Sequence, residues 1–139
     1  MVFPSPGLLQ PPEVSVISWP QSVMAGRAVT LRCRVAGHFP AELRVTWLRR
    51  DRGAARAAPL QDSAEHRLLP GRPTPAADGK SFVQEAGLVF TPLMRRDHGA
   101  EYTCRVEHVA LRTPVEQRSG ELQVTGGAAQ DQRGGDDGD

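Results

Sequence analysis

Two stretches decide the fold. Cys33-Arg34-Val35-Ala36-Gly37-His38-Phe39-Pro40-Ala41-Glu42-Leu43-Arg44-Val45-Thr46-Trp47 is read together with Asp97-His98-Gly99-Ala100-Glu101-Tyr102-Thr103-Cys104-Arg105-Val106-Glu107-His108. Leading into and through the first cysteine, Val29, Leu31, Cys33 and Val35 share one parity and Thr30, Arg32 and Arg34 the other. Alternation at period two is the pattern of a strand buried on one face. Around the second cysteine, Tyr102, Cys104 and Val106 fall on the apolar side and Thr103, Arg105 and Glu107 on the polar side. Trp47 shares the parity of Leu43 and Val45, which turns its indole inward. Leu31, Trp47, Tyr102 and Val106 are therefore the predicted structural core.

A cysteine on an alternating strand, a Trp fourteen residues later and a second cysteine preceded at minus two by Tyr have the spacing of an immunoglobulin sandwich. Gly37-His38-Phe39-Pro40 and Tyr102-Thr103-Cys104-Arg105-Val106-Glu107-His108 resemble the signature of constant-type immunoglobulin domains. That group includes antibody domains and the membrane-proximal domains of MHC chains, signal-regulatory proteins and tapasin-like chaperones. The continuation Val109-Ala110-Leu111-Arg112-Thr113-Pro114 is similar to the turn that follows in MHC class II chains and signal-regulatory proteins.

The resemblance covers about residues 12–125. It implies an all-β, constant-type sandwich of two antiparallel sheets with about seven strands. It also implies an inter-sheet disulfide between Cys33 and Cys104, consistent with their inward parity; a free reactive thiol beside a core thiol is the rival reading. Such a bridge closes a loop of roughly 70 residues, for which chain entropy gives about 4 kcal/mol. The Tyr102 hydroxyl is expected to bond back to the chain entering its strand, and the Phe39-Pro40 peptide is expected to be cis, making Pro40 the cis-proline candidate. Two features depart from the family. Both Ala100 and Glu101 separate Gly99 from Tyr102, and the cysteine spacing is long, with the surplus in residues 51–80.

Taken outward from this frame, 139 residues suffice for one domain with ends: a flexible leader over 1–11, the domain over 12–125, and a disordered, acidic, Gly-rich tail over 126–139. Glu13 to Ser18 reads as the first strand, His66 to Leu69 as a short strand, Ser81 to Phe90 as a longer one, and Glu121 to Val124 as the last. Phe82, Leu88, Phe90 and Leu93 are inward candidates. Residues 51–80, rich in Arg, Ala, Pro and Gly, read as a long irregular insertion. Trp19 is a candidate partner contact or a cap on the open end of its own sandwich. Arg49, Arg50 and Arg52, with Arg56, form a basic cluster that suits an acidic partner, or else a solvated connection.

Net charge is +1, so no strong field points to nucleic acid or to a membrane surface. Of the 17 basic residues only Lys80 is lysine, a bias that GC-rich coding explains as well as selected Arg contacts do. Asn is absent, so this chain has no N-glycan acceptor. The first dozen residues lack the basic and apolar regions of a signal peptide, and no apolar run is long enough to span a bilayer or insert directly. A structural disulfide nevertheless needs an oxidising compartment. These facts read as a fragment or truncated isoform of a secretory-pathway protein that works outside the cell or at its surface.

His38, His66, His98 and His108 show no metal-ligand spacing, and no serine elbow or phosphate-binding glycine loop occurs. Neither catalysis nor a cofactor or metal is expected. Three readings remain: a membrane-proximal spacer and protein-recognition module, a constant-domain interface in antigen presentation or peptide loading, or a soluble decoy isoform. The partners expected are proteins, with the chain itself a monomer or weak dimer.

Overall fold

The computed structural model describes residues 9–20 and 22–126. Six strands of four or more residues carry the fold: β3 (Val29–His38), β4 (Arg44–Arg50), β6 (His66–Leu69), β8 (Phe82–Phe90), β9 (Glu101–Glu107) and β10 (Val115–Glu121). Two-residue segments complete it: β1 (Glu13–Val14), β2 (Val23–Met24), β5 (Ala58–Pro59), β7 (Thr74–Pro75) and β11 (Val124–Thr125). One helical turn, α1 (Met94–Asp97), precedes β9.

The strands form two antiparallel sheets. One has the order β1-β3-β8-β6 with β7 also on β8, and the other has the order β10-β9-β4-β5. A short parallel pair, β11 on β2, closes one edge. Alternation in β3 buries Val29, Leu31, Cys33 and Val35 while Arg32 and Arg34 stay in water. From the facing sheet, Trp47 pairs in register with Cys104 and Val45 with Val106. Leu31, Trp47, Tyr102 and Val106 all lie in the resulting core, with Leu88, Phe90 and Leu122.

Cys33 and Cys104 are both fully buried and lie against each other, but the structure holds them as two thiols rather than as the expected bridge. The neighbouring Cys33 thiol, and then burial, push the Cys104 thiol far above the ordinary thiol range. Cys33 also touches the Ser15 carbonyl at 3.7 Å.

At one end of the sandwich the Phe39-Pro40 peptide is cis. The turn presents the Pro40 carbonyl to His108 Nε2 at 2.8 Å, while His108 Nδ1 accepts the Ala110 N–H at 3.1 Å. This end reaches into the predicted leader, because Gln10 and Phe39 exchange backbone hydrogen bonds at 3.0 Å each way. His38 packs edge-on to His108, is fully buried, and has no partner for either ring nitrogen.

Several elements differ from their sequence reading. Besides β6, which is the short strand expected at His66 to Leu69, the insertion over 51–80 contains β5 on β4 and β7 on β8, because its prolines and glycines bend the chain back onto existing strands. Gly71 shows the fit: φ is +75°, and a Cβ there would stand 2.1 Å from the Glu85 carbonyl oxygen. Leu93 is exposed at the start of α1 rather than inward. The expected last strand, Glu121 to Val124, is split: Val124 opens β11, and Glu121 instead ends β10, which begins at Val115. The β10 sequence carries almost no apolar alternation because it is an edge strand, paired only with β9 in its sheet. Thr103, expected outside, is buried. The predicted acidic tail lies outside the described residues beyond Gly126.

Burial first, and then the nearby His108, hold His38 below the ordinary histidine range. Burial followed by Arg49 and Arg96 does the same to His66. A folded pKa below the unfolded value of about 6.5 favours the neutral ring in the native state. That contribution is complete above about pH 6.5 and is lost as pH falls toward and through the lower folded values. Chemical denaturation is therefore expected to give lower stability at about pH 5.5 than at about pH 7.5. His38→Phe, which fills similar space without unpaired nitrogens, should match or exceed the parent at neutral pH by about 1 kcal/mol and lose less on acidification.

Candidate functional site

Successive side chains on a strand point to opposite faces, so the arginines ending β4 cannot act as one patch. Arg49 follows the inward parity of Val45 and Trp47, and its side chain is only 10% exposed. Its Nη1 donates to Asp97 Oδ1 and to the Tyr102 hydroxyl (2.8 Å), its Nη2 to the Arg96 carbonyl (2.6 Å), and its Nε to Asp51 Oδ1 (2.8 Å). The Asp97 carboxylate is fully buried and also accepts the Leu93 N–H at 2.8 Å and the Arg96 guanidinium. Arg49 is thus an internal ion-pair residue, which corrects its reading as a partner contact.

Burial opposes both charges, yet the pair keeps them. Hydrogen bonds to Asp97 and Asp51 hold Arg49 above the ordinary arginine range. Those from Arg96, Arg49 and the Leu93 amide hold Asp97 below the carboxylate range. The Tyr102 hydroxyl sits between Arg49 and His66 Nε2, each at 2.8 Å. Burial pushes its pKa up to about 12, so it stays protonated. The hydroxyl accepts from Arg49 and is hydrogen-bonded on its other side to His66 Nε2. The expected backbone acceptor is replaced by a side-chain chain that ties β9 to β6 across the two sheets.

Trp19 is half-buried against the core, and so serves chiefly to cap its own sandwich. Arg50 points outward but is engaged by Glu101 at 3.1 Å and by the Ala54 carbonyl at 3.3 Å. Arg52 is exposed and lays its aliphatic stem over Gly99, where a Cβ would come within 2.7 Å of its Cδ. The structure therefore brings Arg49, Arg50 and Arg52 near one another without making them one surface.

The broad surfaces are the outer faces of the sheets. On the four-stranded sheet, Arg44 faces Glu107 at 4.0 Å and Arg105 meets Glu116 at 2.9 Å. On the five-stranded sheet, Arg32 faces Glu85 at 3.6 Å, beside Arg34, Arg67 and a partly exposed Leu69. Exposed large apolar side chains are scattered at Val16, Leu69, Leu93, Met94 and Val109. Sequence reading missed Glu101, Glu116 and Arg118 on these faces. The signal that marks them is the polar alternation Glu116-Gln117-Arg118 opposite Arg105 and Thr103, visible only once β10 is paired with β9.

A profile of the immunoglobulin domain family matches residues 20–116. The chain belongs to the immunoglobulin domain family. Tapasin of Gallus gallus is 32% identical over 108 residues, covering 78% of this chain and 25% of that protein. The class I histocompatibility antigen non-RT1.A alpha-1 chain of Rattus norvegicus is also 32% identical over 108 residues, covering 78% of this chain and 28% of its own length. The chain thus spans about a quarter of the length of these relatives. Its constant-type sandwich resembles the domains of MHC chains and tapasin, as its two signature segments imply.

Within this immunoglobulin domain the histidines serve structure. His66 meets Tyr102, His98 Nδ1 accepts the Val124 N–H at 3.0 Å, and His108 holds Pro40. Among the described residues no group of three or more His, Cys, Asp or Glu side chains is placed to hold a metal ion, and no helix is long and apolar enough to cross a membrane.

The ion-pair network predicts a sharp contrast between a buried and an exposed arginine. Arg49→Met leaves the buried Asp97 with Arg96 as its one remaining guanidinium partner and is expected to cost about 3 kcal/mol in urea denaturation. Arg34→Ala on an exposed face should change stability by less than about 0.5 kcal/mol.

Proposed function

We propose that this chain is a non-enzymatic immunoglobulin module of an immune cell-surface or secreted protein, acting as a membrane-proximal spacer and a surface for transient protein recognition. The observation that carries this reading is the charge balance of both outer faces. Each presents paired arginines and carboxylates with only scattered apolar side chains. Permanent pairing of constant domains calls for a broader apolar patch. Relatedness to tapasin and to a class I histocompatibility chain supports an immune setting on the secretory route. Protein partners, rather than substrates, nucleic acid or cofactors, suit such faces.

In an oxidising compartment, Cys33 and Cys104 are proposed to form the inter-sheet bridge. Their complete burial and mutual contact between the sheets support this. The same relatives favour a second reading, in which one sheet face is a constant-domain interface in antigen presentation or peptide loading.

Intact mass and sedimentation, measured on protein refolded under oxidising conditions, test the proposal. The expected result is a loss of about 2 Da on oxidation with a monomeric sedimentation profile. A tight dimer would displace the spacer reading in favour of the interface, and two free thiols persisting in folded, oxidised protein would remove the bridge. Cys104→Ser is expected to cost about 2–5 kcal/mol relative to the oxidised parent.

A further inference from the structure

The outer face of the four-stranded sheet is not flat. After β4 the chain turns where Ala54 N–H donates to the Asp51 carbonyl at 2.9 Å, and Arg50 Nη1 holds the Ala54 carbonyl at 3.3 Å. The following residues wall a pocket of about 350 Å³ whose lining includes Leu48 and Thr103. These two side chains are partners across β4 and β9 on the solvent side of the sheet, yet both are buried.

Arg50, Arg56, Arg105 and Arg118 all line this pocket. Glu101 pairs with Arg50 at 3.1 Å and Glu116 with Arg105 at 2.9 Å. Arg56 and Arg118 have no carboxylate within 4.0 Å among the described residues. Two positive charges are thus left uncompensated beside a partly apolar, partly water-excluding floor. There a guanidinium–carboxylate contact is stronger than on an open surface.

We propose that this pocket docks an acidic segment of a protein partner, with partner carboxylates on Arg56 and Arg118. The two pocket glutamates would repel a continuous phosphate backbone, and no aromatic side chain lines the pocket to stack a base, which disfavours nucleic acid. Separate side-chain carboxylates can sit beside the free guanidiniums and avoid Glu101 and Glu116. The pocket stands on its own geometry, whichever parent protein carries the domain.

The test is fluorescence anisotropy of a fluorescein-labelled octaglutamate peptide titrated with the full chain at low salt, beside an oligothymidine of equal length. The peptide is expected to bind, with Arg56→Gln/Arg118→Gln weakening it about tenfold or more. Arg34→Gln/Arg67→Gln, an equal charge change on the opposite sheet, should alter it less than about twofold. In the unaltered chain, peptide-induced amide shifts should centre on Leu48, Thr103 and Arg118, a readout that needs no variant. No peptide binding, equal weakening by both double variants, shifts centred elsewhere, or tighter binding of oligothymidine would each overturn the proposal.

Discussion

The structure depends on one layer of side chains held between two sheets. Leu31, Cys33 and Val35 reach in from β3, and Trp47, Cys104 and Val106 reach in from β4 and β9. A one-residue slip of any of these strands would turn its inward set toward water and its arginines toward the core. Register is therefore fixed by burial on one face and charge on the other. The cysteines occupy the centre of the layer, fully buried against each other.

The two ends of the sandwich are closed by different physics. At one end, Arg49, Asp97, Tyr102 and His66 form a buried polar chain in which each ionised group has several hydrogen-bond partners. Removing Arg49 or Asp97 would leave its ionised partner short of hydrogen bonds, which makes the network a constraint on geometry more than a source of net stability. At the other end, a cis proline, His108 and the unpartnered His38 pack with Phe39 and Phe82. That end has one polar ring too many for its hydrogen bonds, and its cost rises when the ring is protonated.

With the interior committed to structure, function is left to the exterior. Paired charges across β10, β9 and β4 keep the sheet face soluble and discourage permanent association. The loop after β4 interrupts this balance by covering Leu48 and by bringing Arg56 toward Arg118. A surface with paired charges and a local positive excess suits recognition that is selective and reversible.

Much of this was legible in the chain itself. Alternation through Cys33 and Cys104, with Trp47 between them in sequence, determined the two central strands, the core and the sandwich class, because parity dictates which side chains share a face. The sequence also announced an arginine cluster, but side-chain parity sends Arg49 inward and Arg50 outward, and only the position of Asp97 reveals what Arg49 neutralises. Strand β10 was hidden because an edge strand needs few apolar residues, and within 51–80 only His66 to Leu69 was legible, β5 and β7 being two-residue pairings whose partners lie far away in sequence. Whether a given arginine is an internal ion pair, a shield over Gly99 or a free pocket charge was decided by tertiary structure alone. That choice depends on which carboxylates long-range pairing brings within reach, and no local pattern records it.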